Sequence, residues 1–169
     1  YAGTNPNYDP DKDVQMCVGP GYHAAPLAFD IAIPQASGVP ITFIGEKWDT
    51  EDVFRTIQER RVTHAHMVPI MFQRMLAAPD ALKRKYDLSS VRYFVHGAAP
   101  CPPEVKRAMI ESASEVNMML DSTKFGVRSL TRVIDLSEIT LLITDEGAPA
   151  EMVASLREQG VVVALVPAH

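Results

Sequence analysis

The sequence predicts an α/β fold: a mostly parallel, doubly wound sheet with helices on both faces. Short apolar runs rich in β-branched residues recur along the chain, amphipathic segments alternate with them, and glycine or proline separates the two. Apolar runs without polar alternation are typical of parallel strands that are buried on both faces. With 169 residues, 47% of them hydrophobic, the chain is long enough for a core, and its charge of −5 argues against direct nucleic-acid binding.

Seven apolar runs predict the strands. The first lies between Asp13 and the breaker Gly19-Pro20-Gly21, and the second stops at Gly45. The predicted strands are Val14–Val18, Val39–Ile44, Val62–Val68, Val91–Val95, Val116–Leu120, Thr140–Thr144 and Val161–Val166.

Five segments predict helices from their caps and their periodicity. Pro34 is expected to kink or end the first helix, Asp49 or Thr50 caps the second, and Gly160 closes the last. The predicted helices are Ala25–Ser37, Thr50–Arg61, Pro69–Ala78, Glu104–Ile110 and Pro149–Gln159. The side chains expected to point inward are Val53, Phe54, Ile57, Ile70, Met71, Met75, Leu76, Met152, Val153 and Leu156.

The composition changes near residue 112. Eleven of the twelve aromatic residues precede that position, and acidic residues outnumber basic ones by 8 to 4 after it. We therefore expect two segments, 1–111 and 112–169, that form either separate units or one continuous domain. Uncovered sheet edges would favour self-association. Two distant cysteines and the lack of a long apolar run predict a cytoplasmic protein without a transmembrane segment.

The loop after the first strand carries His23, at the edge where open parallel sheets place their ligands. A histidine there either orients a carboxylate or is simply hydrogen-bonded to the backbone. The segments GPGYHAAPLAF, WDTEDVFRTIQERRVTHAHMVPIMFQRML and YDLSSVRYFVHGAAPCPPEVKRAMI follow one another without an obvious gap. Together they resemble the N-terminal domain of adenylate-forming acyl-CoA synthetases, and the bacterial fatty-acid–CoA ligases in particular.

That resemblance implies two groups of site residues. The histidine segment and the end of the third strand would line the acyl-substrate site, and a turn of small residues would border the adenine. From the residues alone, core packing for Met67 and a simple turn at Gly97 remain equally open. The implied residues are Tyr22, His23, Met67, Val68 and Pro69 for the acyl substrate, and Gly97, Ala98, Ala99 and Pro100 for the nucleotide.

The resemblance also implies ATP, magnesium and coenzyme A as cofactors of the parent family. The Ser/Thr/Gly-rich loop with its lysine, which neutralises the triphosphate in these enzymes, does not occur in this sequence. Since electrostatic stabilisation usually supplies most of the rate enhancement, we expect the chain alone to be inactive as a ligase, and no catalytic residue is assigned.

After Glu111 the sequence changes character. EVNMMLDSTKFG and the later LLITD resemble the C-terminal half of the sensor domain in DeoR-type repressors, which binds sugar phosphates. Hydroxyls, backbone N–H groups and a cation at a strand end suit a phosphate, although a plain polar turn also explains them. The resemblance implies that Asp121, Ser122, Thr123, Lys124 and Asp145 bind the sugar phosphate.

The chain is thus a mosaic. A natural fusion, an engineered chimera and the joining of two separate sequences would each produce it. Three functions remain open: a partial fatty-acid–CoA ligase, a sugar-phosphate-binding sensor module, or a chimeric scaffold without activity.

Three weaker patterns favour ordinary structure. His64 and His66 lie two apart on a strand and face the same side, but a zinc site needs at least three ligands, so structural or solvent-facing histidines are favoured and no metal is expected. Cys101 precedes a helix, but no neighbouring histidine in the sequence and no motif supports a nucleophilic role. The basic run 83–85 indicates a solvated face.

Overall fold

A computed structural model describes residues 8–45, 47–96, 100–113, 115–127 and 135–167. These residues divide into two compact units, 8–102 and 103–167. Each unit contains one parallel sheet, so the predicted α/β class with parallel strands is confirmed, with the described strands in two sheets of four and three. The boundary between the units lies between residues 102 and 103. It therefore precedes the predicted helix Glu104–Ile110, which belongs to the predicted first segment. The division at residue 111 stays a prediction.

The first unit has four short strands and a series of helices. The sheet order is β2-β1-β3-β4, so the order reverses at β1. The strands are β1 Gln15–Cys17, β2 Ile41–Phe43, β3 His64–Met67 and β4 Tyr93–His96, and the helices are a π-helical segment Pro26–Ala32, α1 Ile33–Ala36, α2 Thr50–Arg60, α3 Pro69–Leu76 and α4 Asp80–Lys83.

Helix α2 forms as its sequence predicts. The Asp49 carboxylate accepts a hydrogen bond from the backbone N–H of Asp52 at 2.9 Å, which satisfies one of the free donors of the first turn. The apolar stripe Val53, Phe54 and Ile57 is buried, and the helix ends at Arg61, whose φ is 50°. Burial of this stripe anchors α2 in the core of the first unit.

One expectation for the first unit stays a prediction and one is wrong. The helix changes from π-helical to α-helical directly before Pro34 and continues to Ala36, and the kink expected at Pro34 stays a prediction. Ile70 is 49% exposed, because α3 buries the stripe Pro69, Phe72 and Met75. Helix α4 was not predicted, since four residues are too few to show a helical period.

In its described residues the second unit contains two α-helices and a three-stranded sheet in the order β5-β6-β7. Its core consists of Ile139, Leu142, Val153, Val161 and Val163. Met152, which was expected to point inward, is 40% exposed because the narrow buried stripe of its helix centres on Val153. The elements are α5 Pro103–Glu111, β5 Asn117–Met119, 3₁₀ turns at Ser122–Lys124 and Leu136–Glu138, β6 Leu141–Asp145, α6 Ala150–Glu158 and β7 Val162–Val166.

The reversal of strand order at β1 positions the candidate site of the first unit. Connections from β1 lead to β2 on one side, while β3 lies on the other, so the carboxyl ends of β1 and β3 form the switch point of the sheet. In open α/β sheets ligands bind at this switch point.

Candidate functional site: two strand-end clusters

The first cluster surrounds the switch point. Pairing between β1 and β3 covers only Gln15↔His64 and Met16↔Ala65, so the two strands separate directly beyond it. The loop leaving β1 carries Tyr22, which is 83% exposed, and His23, with their ring centroids 4.7 Å apart. Both side chains are therefore open to a ligand at the edge where one is expected.

The predicted acyl-site residues of β3 are less accessible. Met67 is fully buried and Pro69 is buried at the start of α3, whereas Val68 is half-buried. Of the predicted nucleotide residues, Pro100 is exposed, and Gly97, Ala98 and Ala99 lie outside the described residues. The binding roles of all these residues stay predictions.

Two glycines fix the loop against the π-helical segment. A Cβ on Gly19 would lie 2.6 Å from Cγ of Pro26, and one on Gly21 would lie 3.2 Å from Cδ1 of Ile31. The backbone N–H of Leu27 donates to the carbonyl of His23 at 3.0 Å. The loop passes so close to the helix that no side chain fits at Gly19.

Sequence reasoning missed a buried polar network beneath this loop. Asp30, which is fully buried, accepts hydrogen bonds at Oδ1 from Nε2 of Gln15 at 2.7 Å and from the backbone N–H of His66 at 3.2 Å. Gln15 in turn accepts from the hydroxyl of Tyr8 at 2.7 Å. Oδ2 of Asp30 has no hydrogen-bond partner in the described part of the chain. Burial raises the pKa of Asp30 to about 7.

His64 and His66 belong to the same buried region, so the structural interpretation is confirmed and the solvent-facing one is wrong. His64 is 4.9 Å from the Tyr93 ring, and His66 is 5.4 Å from the Phe29 ring. Burial lowers the pKa of His64 to about 4 and also lowers that of His66. Within the described residues, no group of three His, Cys, Asp or Glu side chains is placed to hold a metal ion.

The second cluster lies at the carboxyl ends of β5 and β6. The Asp145 carboxylate accepts hydrogen bonds from the backbone N–H of Ser122 at 2.6 Å and from that of Gly147 at 2.9 Å. The two loops that carry the predicted phosphate residues are therefore brought together. Asp121 accepts from both the N–H and the hydroxyl of Thr123. These hydrogen bonds hold the pKa of both carboxyl groups below their usual range.

In this cluster the Asp145 carboxylate holds the two loops together. Its predicted role, accepting hydrogen bonds from sugar hydroxyls, stays a prediction. Gly147 was missed by sequence reasoning. A Cβ there would lie 2.8 Å from both Asp145 Oδ1 and Ser122 Oγ, so the arrangement needs a glycine. Lys124 is exposed beside the turn.

Two further features complete the second unit. An apolar cavity of about 320 Å³ is lined by residues that include Met118, Leu120, Phe125 and Leu156, and it offers no cation to a phosphate. Arg107 of α5 pairs with both carboxylate oxygens of Glu138, at 2.7 and 2.9 Å. This ion pair ties α5 to the turn before β6.

Comparisons with known proteins identify both regions. The family profile of AMP-binding enzymes matches residues 2–120, and that of the DeoR C-terminal sensor domain matches residues 101–146. The two matches overlap at residues 101–120, which include α5. None of the described helices is both long and apolar enough to cross a membrane.

Individual relatives agree with both profiles. The mitochondrial medium-chain acyl-CoA ligase of Danio rerio is 32% identical over 111 residues, which cover 65% of this chain and 18% of the ligase. The aga operon transcriptional repressor of Escherichia coli O157:H7 is 42% identical over 62 residues, 37% of this chain and 23% of the repressor. The chain thus spans only about a fifth of either relative's length.

A solved structure supports the first match. The inhibitor-bound N-terminal domain of FACL13 from Mycobacterium tuberculosis aligns with a TM-score of 0.52 at 25% identity, over 60% of this chain and 24% of that one. Since the profile of AMP-binding enzymes covers well over half of the residues, the chain belongs to the AMP-binding enzyme family, with a DeoR sensor-like region at its C-terminal end.

Proposed function

We propose that residues 8–102 form the acyl-binding part of an ATP-dependent fatty-acid–CoA ligase, and that this 169-residue chain binds a fatty acid without activating it. The observation that carries the proposal is the exposed Tyr22–His23 pair, held on a glycine-anchored loop at the switch point. An imidazole at this position can donate a hydrogen bond to the carboxylate of the acid.

The residues at the switch point do not fit ATP. A triphosphate needs cationic partners, and neither Gly19–His23 nor Met67–Pro69 contains a lysine or arginine. We therefore assign no step to ATP, magnesium or coenzyme A in this chain. The proposal is restricted to binding and orienting the acid.

Titration calorimetry with dodecanoate below its micelle concentration tests the binding. We expect saturable binding that His23→Ala weakens by about 10- to 150-fold, since a hydrogen bond to a charged group contributes roughly 1.5–3 kcal/mol. Val162→Ala serves as the control, because Val162 is 62% exposed in the other unit, and it should leave the affinity unchanged. Equal affinity in the parent and His23→Ala would contradict the role of His23, and absence of binding would contradict the site.

Inactivity is tested separately. With ATP, magnesium, dodecanoate and hydroxylamine, we expect no acyl-hydroxamate above a blank without protein. Hydroxamate formation would overturn this part of the proposal.

A second candidate function is recognition of a sugar phosphate by the second unit. It is favoured by Asp145, which orders the Ser122–Lys124 turn beside Gly147, where the turn presents its hydroxyls and Lys124 together. Asp121 and Asp145 are ionised at neutral pH and repel an anion, so Lys124 has to supply the attraction.

Glucose 6-phosphate and inorganic phosphate are the probes for this candidate. We expect thermal stabilisation of the parent chain that is lost in Lys124→Ala and kept in Lys47→Ala, a control that removes an exposed lysine from the first unit. An equal loss in both variants would indicate general charge screening and contradict a site at Lys124.

A further inference from the structure

The pairing between β1 and β3 stops before β3 ends. Beyond Met16↔Ala65 the strands β1 and β3 no longer pair, and the next donor of β3 is the backbone N–H of His66. That N–H donates to a side chain, Oδ1 of Asp30, at 3.2 Å. A carboxyl group from the π-helical segment therefore fills the position that a neighbouring strand would occupy.

The same carboxyl group contacts both strands. Nε2 of Gln15, on β1, donates to Oδ1 of Asp30 at 2.7 Å, while Phe29 stacks on His66 of β3. The segment that carries these contacts is π-helical, a conformation that is rare and often marks functional sites. Asp30 thus attaches the segment to the sheet at the switch point between β1 and β3.

The attachment extends to the exposed loop. Pro26 and Ile31 of the same segment contact Gly19 and Gly21 so closely that a side chain at Gly19 would clash. The loop carries Tyr22 and His23, and Leu27 donates to the carbonyl of His23. A shift of the π-helical segment consequently moves the two residues that are proposed to meet the acid.

We propose that Asp30 is the positioning residue of the acyl site: its carboxyl group fixes the π-helical segment in the gap between β1 and β3, and through it the Tyr22–His23 loop. This inference rests on the proposed function. It requires the carboxyl group to be neutral, because no cation is paired with it among the described residues and Oδ2 has no hydrogen-bond partner.

The ionisable groups that face Asp30 agree with a neutral carboxyl. On β3, Nδ1 of His66 lies 3.9 Å from Oδ2, and burial followed by the charge of His96 lowers the pKa of His66, so the ring is neutral. The remaining groups, Tyr8 before β1 and Cys17 on β1, have their pKa raised to about 12 and about 11, first by burial and then by Asp30. All of these groups are uncharged near pH 7, so none compensates an ionised Asp30.

Ionisation should therefore loosen the attachment. Burial raises the pKa of Asp30 to about 7, so above that pH the carboxyl group releases its proton to solvent and becomes an uncompensated buried anion. The π-helical segment and its loop would then open more often. Asp30→Asn keeps the Oδ1 acceptor and cannot ionise, so it is the variant that separates positioning from simple packing.

The test uses the ¹⁵N-labelled 169-residue chain between pH 5 and 9. We expect the amide proton shift of His66 to titrate with a midpoint near pH 7 in the parent and to show no such inflection in Asp30→Asn. Amide exchange at Leu27 should accelerate about tenfold beyond its intrinsic pH dependence between pH 6 and 8.5, and only where Asp30 can ionise. Asp13→Asn is the matched control, because Asp13 is equally buried but paired with Arg92 at 2.8 Å.

The outcomes separate the two proposals. A flat His66 titration in the parent overturns the inference, as does unchanged exchange at Leu27, and neither measurement depends on the folding of a variant. Dodecanoate binding that weakens at pH 8.5 in the parent but not in Asp30→Asn supports it, and binding that is pH-independent in both overturns it. If His66 titrates but dodecanoate binds at neither pH, the acyl site itself is contradicted while the attachment by Asp30 stands.

Discussion

The two units differ in how deeply their clustered polar side chains are buried. In residues 8–102 several polar side chains are buried at the sheet: Asp13, Gln15, Asp30, His64 and His66 are all at most 3% exposed. In residues 103–167 the polar cluster is at the surface, where Asp121, Thr123 and Lys124 are exposed, and Thr144 is the one buried polar side chain among the described residues. Both units are parallel α/β structures, so the difference comes from the residues on the strands and not from the fold class.

The burial of a titratable group decides what shifts its pKa. Desolvation dominates at the buried groups of the first unit, where it raises the pKa of Asp30 and lowers that of His64. Hydrogen bonds dominate in the second unit, where they lower the pKa of Asp121 and Asp145. We therefore expect the neutral-pH response of the chain to come from the first unit.

The largest expected effect tests the core of the first unit. Phe54→Ala removes a ring that is 2% exposed and should lower the free energy of unfolding by ~3–5 kcal/mol, because a cavity replaces its contacts. Phe43→Ala removes a ring that is 62% exposed and should change it by no more than about 0.5 kcal/mol. Urea unfolding monitored by circular dichroism measures both, and equal effects would contradict the burial of α2.

The second prediction concerns pH. The folded pKa of Asp30, about 7, exceeds its ordinary value of 3.8, so this group stabilises the fold at low pH and its contribution is lost as the pH rises through 7. Relative to Asp30→Asn, the parent should lose up to about 1.4 kcal/mol per pH unit between pH 5 and 7.

His64 acts in the opposite direction. Its lowered pKa, about 4, means that stability is lost as the pH falls below 6.5, and the parent alone would therefore show a partly cancelled slope. Comparison with Asp30→Asn removes the histidine contribution, since both proteins share it. Parallel pH profiles for the two proteins would exclude a buried neutral Asp30.

A third prediction concerns the second unit. Gly147→Ala places a methyl group 2.8 Å from Asp145 Oδ1 and Ser122 Oγ, and we expect a destabilisation of ~1–3 kcal/mol together with weaker phosphate binding. Gly45→Ala is the control, because nothing lies within 4 Å of the added atom. Urea unfolding and the glucose 6-phosphate thermal shift provide the readouts. Identical results for the two variants would show that the turn tolerates a side chain.

The smallest expected effect is that of the ion pair of α5. Arg107 and Glu138 are 39% and 30% exposed, so Arg107→Ala should cost no more than about 1 kcal/mol, and 1 M salt should reduce that cost. Lys106→Ala on the same helix provides the comparison. A cost well above 1 kcal/mol that salt leaves unchanged would show that α5 depends on this pair far more than a surface contact allows.

The sequence predicted the parts that depend on local chemistry. The cap at Asp49 and the closing Gly160, with a φ of 88°, act within one turn, and both were expected. Which helix residues point inward was harder to predict, because Ile70 and Met152 are apolar residues at the edge of a buried stripe. The Asp30 network could not be predicted, since Gln15 and His66 lie 15 and 36 residues from Asp30 and meet it only through strand pairing. Met67 is fully buried, which agrees with the core packing that the residues alone left open.

We propose two strand-end sites in one polypeptide, one for a fatty acid and one for a sugar phosphate. The most direct test records ¹H–¹⁵N spectra of the 169-residue chain with dodecanoate and, separately, with glucose 6-phosphate. Our account predicts that dodecanoate shifts the amides of Tyr22, His23 and Val68, and that the sugar phosphate shifts those of Ser122, Thr123 and Lys124. If both ligands shift one set of amides, or neither ligand shifts its own set, the assignment of two sites is contradicted.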